Sequence, residues 1–152
     1  MDEVRLAKSF WVIEHVGGVV YDRFVSSLKN QDIASTFTRF AGHEHQHADW
    51  YCEWLAARGH TVPNGGNYEA LVVPVVRALL APASLDRKLR VFSAAEQTAA
   101  RHLTSLAGKV RDPELRAIIE RTIPYEQMHG QWYSLEGRRM LSSREESGLI
   151  ES

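Results

Sequence analysis

Cysteine is almost missing from this sequence, because Cys52 is the only one among 152 residues. A single thiol excludes an internal disulfide framework, and it also excludes a zinc or iron–sulfur site built from four cysteines. An excess of either charge is missing too, since 18 Lys and Arg residues accompany 19 Asp and Glu residues. The formal net charge of −1 creates no basic field, so we expect no nucleic-acid partner.

Long hydrophobic runs are also absent. The most apolar stretch, from Leu71 to Pro82, contains Arg77 and two prolines. It is too short to span a bilayer, so we expect no association with a membrane. The first residues, Met-Asp-Glu-Val-Arg, lack the charged-then-apolar order of a signal peptide. We therefore expect a cytoplasmic protein.

Apolar residues recur at helical spacing in four segments, which predicts four long helices. We expect these helices at about Asp2–Lys29, Asp32–Arg58, Ser84–Lys109 and from Asp112 onward. Short turns join the first helix to the second and the third to the fourth, whereas residues 60–84 form a long connection. These lengths predict an all-α antiparallel four-helix bundle in residues 1–141, with a long crossover between helices two and three, and a polar tail in residues 142–152.

Two prolines predict local irregularities in this bundle. Pro74 is expected to interrupt a short apolar helix, Tyr68–Leu80, within the long connection. Pro124 lies inside the fourth helix and removes the N–H that would bond to the Glu120 carbonyl. We therefore predict a kink or a bulge just before Glu126.

Six ionisable side chains fall on the apolar stripes of these helices, where burial needs a reason. Four are carboxylates and two are imidazoles: Glu14, Glu44, His47, Glu96, Glu126 and His129. The motif Glu-x-x-His occurs twice, and a lone Glu stands 30 residues before the Glu of each copy. Residues i and i+3 share a helix face, so each motif offers an oxygen and a nitrogen to one ion.

A pair of metal ions is the most economical reason for burying this set. The ligands divide into two halves, Glu14 with Glu44 and His47, and Glu96 with Glu126 and His129. Glu44 and Glu126 are expected to bridge the two ions. Four carboxylates balance two divalent ions, which lowers the cost of burying charge. Carboxylate and imidazole donors suit iron or manganese.

Other interpretations of nearby residues stay open. The buried acids could instead be neutralised by Arg39, Arg101 or Arg121. The pair Gly17 and Gly18, one turn beyond Glu14, suits either space for a small molecule or a close approach of two helices. Four tyrosines lie near the predicted metal layers: Tyr21, Tyr51, Tyr125 and Tyr133. Each of them could pack in the core, form a hydrogen bond to a ligand or act as a radical relay.

On these residues the sequence resembles the ferritin-like di-iron carboxylate superfamily, which carries Glu, Glu-x-x-His, Glu and Glu-x-x-His in this order. Rubrerythrins, bacterioferritins and demethoxyubiquinone hydroxylases are the branches it is similar to. The resemblance implies a ferritin-like bundle, two iron ions (or manganese), and catalytic roles for the four carboxylates. Rubrerythrins usually add a four-cysteine iron site, which one cysteine cannot form, and an extra Glu where Ala99 stands. Bacterioferritin-like haem binding needs a suitably placed methionine, and Met128 between two ligands is unsuitable.

The resemblance implies a di-iron or di-manganese oxidoreductase that activates dioxygen or peroxide and acts on an unknown small-molecule substrate or reductant. The apolar crossover from Tyr68 to Leu80 is similar to that of the quinone hydroxylases, which makes hydroxylation of an apolar substrate one option. An oxygenase should have an apolar tunnel to the metals, lined by residues such as Phe10, Ile13, Phe40 and Phe92. The alternative is a ferroxidase or iron-handling protein. We expect a homo-oligomer, a dimer.

Overall fold

The computed structural model of the protein describes residues 2–142, in which every regular element is helical. There are five α-helices, α1 (Glu3–Val25), α2 (Gln31–Ala56), α3 (Gly65–Leu80), α4 (Leu85–Ala107) and α5 (Pro113–Trp132). A π-helical turn, Tyr133–Gly137, extends α5, and residues 138–142 are again α-helical. Ser142, the first residue of the predicted tail, is thus helical, and residues 143–152 lie outside the described part. The division into bundle and tail stays a prediction.

Each α-helix begins at a polar side chain that accepts a hydrogen bond from a backbone N–H of the first turn. The five N-caps are Asp2, Asn30, Asn64, Ser84 and Asp112. Such caps satisfy N–H groups that have no partner inside the helix. The predicted starts at Ser84 and Asp112 are therefore confirmed.

The helices form an antiparallel bundle of two pairs, as predicted. Helix α1 packs along α2, α4 packs along α5, and α2 contacts α5 across the bundle. The long connection holds α3, which lies on α1. This arrangement is the ferritin-like, all-α bundle with one crossover. No helix in the described residues is both long and apolar enough to cross a bilayer.

Two apolar clusters fill the bundle, one towards each end. The first contains Phe10, Tyr51, Leu103 and Ile119, and the second contains Tyr21, Phe40, Phe92 and Trp132. Each of the four bundle helices contributes residues to both clusters. The predicted metal-binding residues of each helix lie in sequence between its contributions to the two clusters, so the packing directs them into the middle of the bundle.

The predicted interruption at Pro74 and the predicted bulge before Glu126 are wrong, whereas a kink before Glu126 stays a prediction. Helix α3 begins at Gly65 and continues through Pro74 without interruption, and α5 continues through Pro124. The carbonyls freed by these prolines belong to Ala70 and Glu120, and both residues are exposed, so water can bond to them. The π-helical turn follows directly after the last residue of α5, beyond the Glu-x-x-His motif.

Ile13 is the predicted tunnel residue that is wrong, because it is 55% exposed. It lies three residues after Phe10, at one edge of the apolar stripe, and Glu14 takes the inward position one residue later. A helix buries a stripe roughly 100° wide, so an edge position faces solvent when no neighbouring helix covers it. Ile13 therefore cannot line an internal tunnel.

Candidate metal centre

Six ionisable side chains from four helices meet in the middle of the bundle. Glu14 comes from α1, Glu44 and His47 from α2, Glu96 from α4, and Glu126 and His129 from α5. All of them are buried, with Glu96 the most exposed at 9%. The amphipathic pattern of each helix carries its acid inward together with the apolar residues around it.

The six side chains form two overlapping groups. Glu14 and His47 belong to one group, Glu96 and His129 belong to the other, and Glu44 and Glu126 belong to both. Within each group, one donor atom from every residue lies within 4.8 Å of the others. Glu44 and Glu126 therefore lie where bridging ligands of a dinuclear centre would be needed.

Both histidines turn the same ring nitrogen towards the carboxylates. His47 Nδ1 lies 3.1 Å from Glu14 Oε2 and 3.4 Å from Glu126 Oε1. His129 Nδ1 lies 3.2 Å from Glu44 Oε1 and 3.9 Å from Glu96 Oε2. Two imidazole nitrogens and four carboxylates thus share one small volume, and this donor set suits iron or manganese.

Several of these buried atoms lack a hydrogen-bond partner in the part of the chain that is described. Glu44 Oε1, Glu126 Oε1 and His129 Nδ1 are all inaccessible to solvent, and their only close polar contacts are the imidazole–carboxylate pairs above, which lack hydrogen-bond geometry. An orphaned buried polar atom costs roughly 1–3 kcal/mol. Three such atoms on facing residues fit a cation that would bind to them.

Arginine does not neutralise these acids. Among residues 2–142, the ion pairs of the four carboxylates involve only His47 and His129. Arg121 instead lies over the Trp50 ring, 3.4 Å from its centroid, and Arg101 donates to Thr98 Oγ1. The alternative in which Arg39, Arg101 or Arg121 pairs with the buried acids is therefore wrong.

The electrostatics of the cluster favour protons on two of its carboxylates, Glu14 and Glu126. Burial, followed by repulsion from Glu44, raises the pKa of Glu14 and of Glu126 well above the usual range. Burial lowers the pKa of His47 to about 4. Burial also opposes the charged form of His129, but hydrogen bonds and charges of Glu44 and Glu96 outweigh it and raise the pKa of His129 to about 9. A divalent ion would bind in place of these protons, because it brings a stronger positive charge to the carboxylates.

The four tyrosines near the centre have different surroundings. Tyr21 donates a hydrogen bond to Glu96 Oε1 and so contacts a predicted ligand directly. Tyr125 packs its ring 5.1 Å from the His47 ring. Tyr51 stacks on Phe10, and its buried hydroxyl has a pKa raised by burial and by the charge of Glu14. Tyr133 donates to Asp86, away from the cluster.

His43 is a neighbour of the centre that sequence reasoning did not single out. Its Nδ1 lies 3.0 Å from His129 Nε2, on the side of the His129 ring opposite to the carboxylates. Burial, and then the charges of His129 and His47, lower the pKa of His43. Its spacing from His47, four residues along α2, was the available signal, because positions i and i+4 share a helix face.

The glycines of α1 permit a close approach of α2 and leave no small-molecule space. A Cβ atom on Gly17 would lie 2.9 Å from Glu44 Oε2, and one on Gly18 would lie 2.6 Å from the His45 ring. Both positions are therefore filled by side chains of α2. Of the two interpretations of this pair, close helix approach is the one the geometry favours.

Gly17→Ala tests this contact with a predicted ligand. The new methyl group should displace the Glu44 carboxylate and weaken metal binding roughly tenfold, a modest loss for a group that supports a metal ligand. Folding should not suffer, because alanine is a better helix former than glycine by about 0.5–1 kcal/mol. Metal affinity and thermal unfolding are measured together.

Gly42→Ala is the matched control, since its Cβ would meet nothing within 4 Å. This variant should gain the same helix propensity and keep the metal affinity of the wild type. Equal metal affinities for the two alanine variants would contradict the proposed contact.

The fold and the site together define a ferritin-like bundle with a buried carboxylate–imidazole cluster that fits a metal pair. The family model described as Rubrerythrin matches residues 6–136, so the chain belongs to the rubrerythrin family of di-iron proteins. No curated protein and no solved structure matches the chain significantly. The resemblance to the ferritin-like di-iron superfamily is confirmed, and among its branches the match selects the rubrerythrins. The matched residues are those of the helical bundle. The sequence has one cysteine and therefore lacks the four that would hold the additional iron site.

Proposed function

We propose that this protein is a non-haem di-iron oxidoreductase that reduces peroxide or dioxygen with electrons from an external reductant. The observation that carries the proposal is the sharing of Glu44 and Glu126 by both groups of donors. Shared carboxylates hold two metal ions side by side, the arrangement that suits a two-electron reaction. Membership of the rubrerythrin family supports iron, and the same donors suit manganese.

In this proposal Glu44 and Glu126 would be ligands of both ions, Glu14 and His47 would complete one position, and Glu96 and His129 would complete the other. Two ferrous ions held there would supply two electrons, which together with two protons convert hydrogen peroxide into two water molecules. The bundle excludes bulk water, since all six residues are buried. Tyr21 keeps a proton at its hydroxyl beside Glu96 Oε1, within reach of the centre.

The surroundings of the centre favour a small oxidant over a bulky organic substrate. A cavity of about 460 Å³ between α1, α3 and α4 has room for an organic substrate, and it is lined by apolar residues, Phe24 and Phe92 among them, and by three cations, Arg23, Arg77 and Lys88. Tyr21 connects this cavity to the centre, because its ring packs 5.3 Å from the Phe92 ring and its hydroxyl donates to Glu96. An organic molecule in this cavity would need these aromatic rings to move before it met the ligands, whereas peroxide and dioxygen are small enough to diffuse past them.

Iron handling is the competing function, and one experiment separates it from the proposed reaction. The protein is loaded anaerobically with ferrous iron and mixed with hydrogen peroxide or with dioxygenated buffer. Iron oxidation is followed by absorbance and dioxygen by electrode, a reductant is then added, and the cycle is repeated. Iron and manganese contents are determined by elemental analysis before and after.

We expect repeated reduction of the oxidant with about two ions retained per chain, the number that the bundle pattern implies. A ferroxidase would instead oxidise many ferrous ions per chain and release them. Glu126→Ala is the control for iron that reacts outside the centre. Retention of both ions without oxidation by either oxidant would contradict the proposed reaction.

A further inference from the structure

The two histidines of the centre have different surroundings at their outer nitrogens. His129 Nε2 lies 3.0 Å from His43 Nδ1, and the two rings are nearly parallel, with an angle of 5° between them. His47 Nε2 is buried and has no hydrogen-bond partner in the described residues. The Glu-x-x-His motifs are therefore alike in sequence but unlike in the support that each imidazole receives.

A neutral imidazole carries one hydrogen, and the nitrogen that binds a metal ion must be the one without it. In His129 the nitrogen that faces Glu44 and Glu96 is Nδ1, so the hydrogen has to reside on Nε2. An acceptor placed opposite Nε2 favours this tautomer and holds the ring plane. His43 Nδ1 lies in this position.

The ring of His43 is itself held in place. Tyr125 packs against it with 4.8 Å between the ring centroids, and the side chain is half-buried between α2 and α5. Tyr125 also contacts the His47 ring, so one tyrosine ring packs against both His43 and His47. An acceptor held by a neighbouring ring orients a partner better than a mobile surface side chain.

We propose that His43 is a positioning residue that fixes His129 in the tautomer and orientation required for metal binding. The inference rests on the proposed metal centre and extends it to a residue that supplies no ligand atom to either group. It also implies that the two metal positions are unequal, since only the His129 position has this support. Removal of the acceptor should weaken one of the two binding steps.

Anaerobic titration with cobalt(II), followed by its visible absorption, measures both binding steps without any turnover. His43→Leu removes the acceptor, and one of the two steps should weaken by roughly 10–100-fold, the usual loss when such a partner of a ligand is removed. His43→Asn should restore most of the affinity, because the Asn Oδ1 occupies about the position of the His Nδ1. Thermal unfolding of each variant confirms that it folds.

His45→Leu is the matched control on the same helix. The His45 ring bonds to Asp22, with 2.9 Å between Nε2 and Oδ2, and it is no part of the metal cluster. This variant should bind cobalt as the wild type does. Its unchanged affinity would show that loss of a half-exposed histidine on α2 is not enough to disturb the centre.

The outcomes separate this inference from the proposed function. A wild-type protein that binds no cobalt would overturn the metal centre itself. Two binding steps in the wild type that persist unchanged in His43→Leu would overturn only the role of His43. Equal losses in His43→Leu and His43→Asn would also overturn it, because an acceptor role predicts that asparagine rescues binding.

Discussion

Glu126→Ala should abolish stable metal loading at both positions, whereas His47→Ala should abolish it at one. Glu126 belongs to both groups of donors, and His47 belongs to a single group. The metal content should therefore fall from about two ions per chain to none in the first variant and to about one in the second. Elemental analysis after anaerobic loading and desalting measures both values. This is the largest change in metal content that we expect from any single substitution.

Two controls keep this result from being explained by misfolding or by general loss of charge. Glu120→Ala removes an exposed carboxylate one to two turns away on α5 and should leave the metal content unchanged. Glu126→Gln resembles the protonated Glu126 that burial favours, so it should fold as the metal-free wild type does and still bind metal poorly. Normal loading of both ions in Glu126→Ala would contradict the bridging role.

Much of the bundle was predictable because periodicity and capping are local. The apolar stripes, the caps at Ser84 and Asp112 and the short and long connections each depend on a few neighbouring residues. The inward position of the acids followed from the same stripes, since an acid between apolar residues at helical spacing must share their face. Local patterns therefore indicated both the fold and the residues that meet in its centre.

Features that depend on how two helices face each other were not predictable. His43 and His45 are both histidines beside Glu44, and only the packing of α2 on α5 brings the first of them to His129. The contact of Gly17 with Glu44 likewise depends on the rotation of α1 relative to α2. The power of proline to break these helices was overestimated, because exposure of Ala70 and Glu120 lets water replace the lost hydrogen bonds.

The sequence motifs alone did not indicate which branch of the superfamily the protein belongs to. Glu-x-x-His motifs describe the metal cluster that the superfamily shares, and they say little about what surrounds it. The absence of a four-cysteine site and the alanine at residue 99 pointed away from a typical rubrerythrin. The family match over residues 6–136 shows that these features are not required for membership.

Metal-free protein should lose stability as the pH rises from about 6.5 to about 9, and metal-loaded protein should not. Glu14, Glu126 and His129 all have a pKa that is raised in the folded state. A raised pKa stabilises the fold below the ordinary value, 4.5 for Glu and 6.5 for His, and this contribution is lost as the pH rises through the folded pKa. Each retained proton contributes roughly 1.4 kcal/mol per pH unit.

Between pH 6.5 and 9 the opposing effect of His47 on stability is absent. Its pKa is lowered to about 4, so it destabilises the fold only below its ordinary value of 6.5. Thermal unfolding at several pH values, with chelator or with ferrous iron under anaerobic conditions, measures the difference. Glu126→Gln should show a weaker pH dependence without metal, because one of the titrating carboxyl groups is gone.

Metal binding to the same cluster should release protons, because the cation has to displace them from Glu14 and Glu126. The apparent affinity for ferrous iron or manganese should therefore rise with pH. Calorimetric titration in buffers with different ionisation enthalpies counts the released protons. Glu126→Gln should release fewer protons for each ion that it still binds. Two results together would contradict protonated carboxyl groups at Glu14 and Glu126: a metal-free unfolding temperature that is constant or rising between pH 6.5 and 9, and a metal affinity independent of pH. They would favour a hydrated site in which these two acids stay ionised.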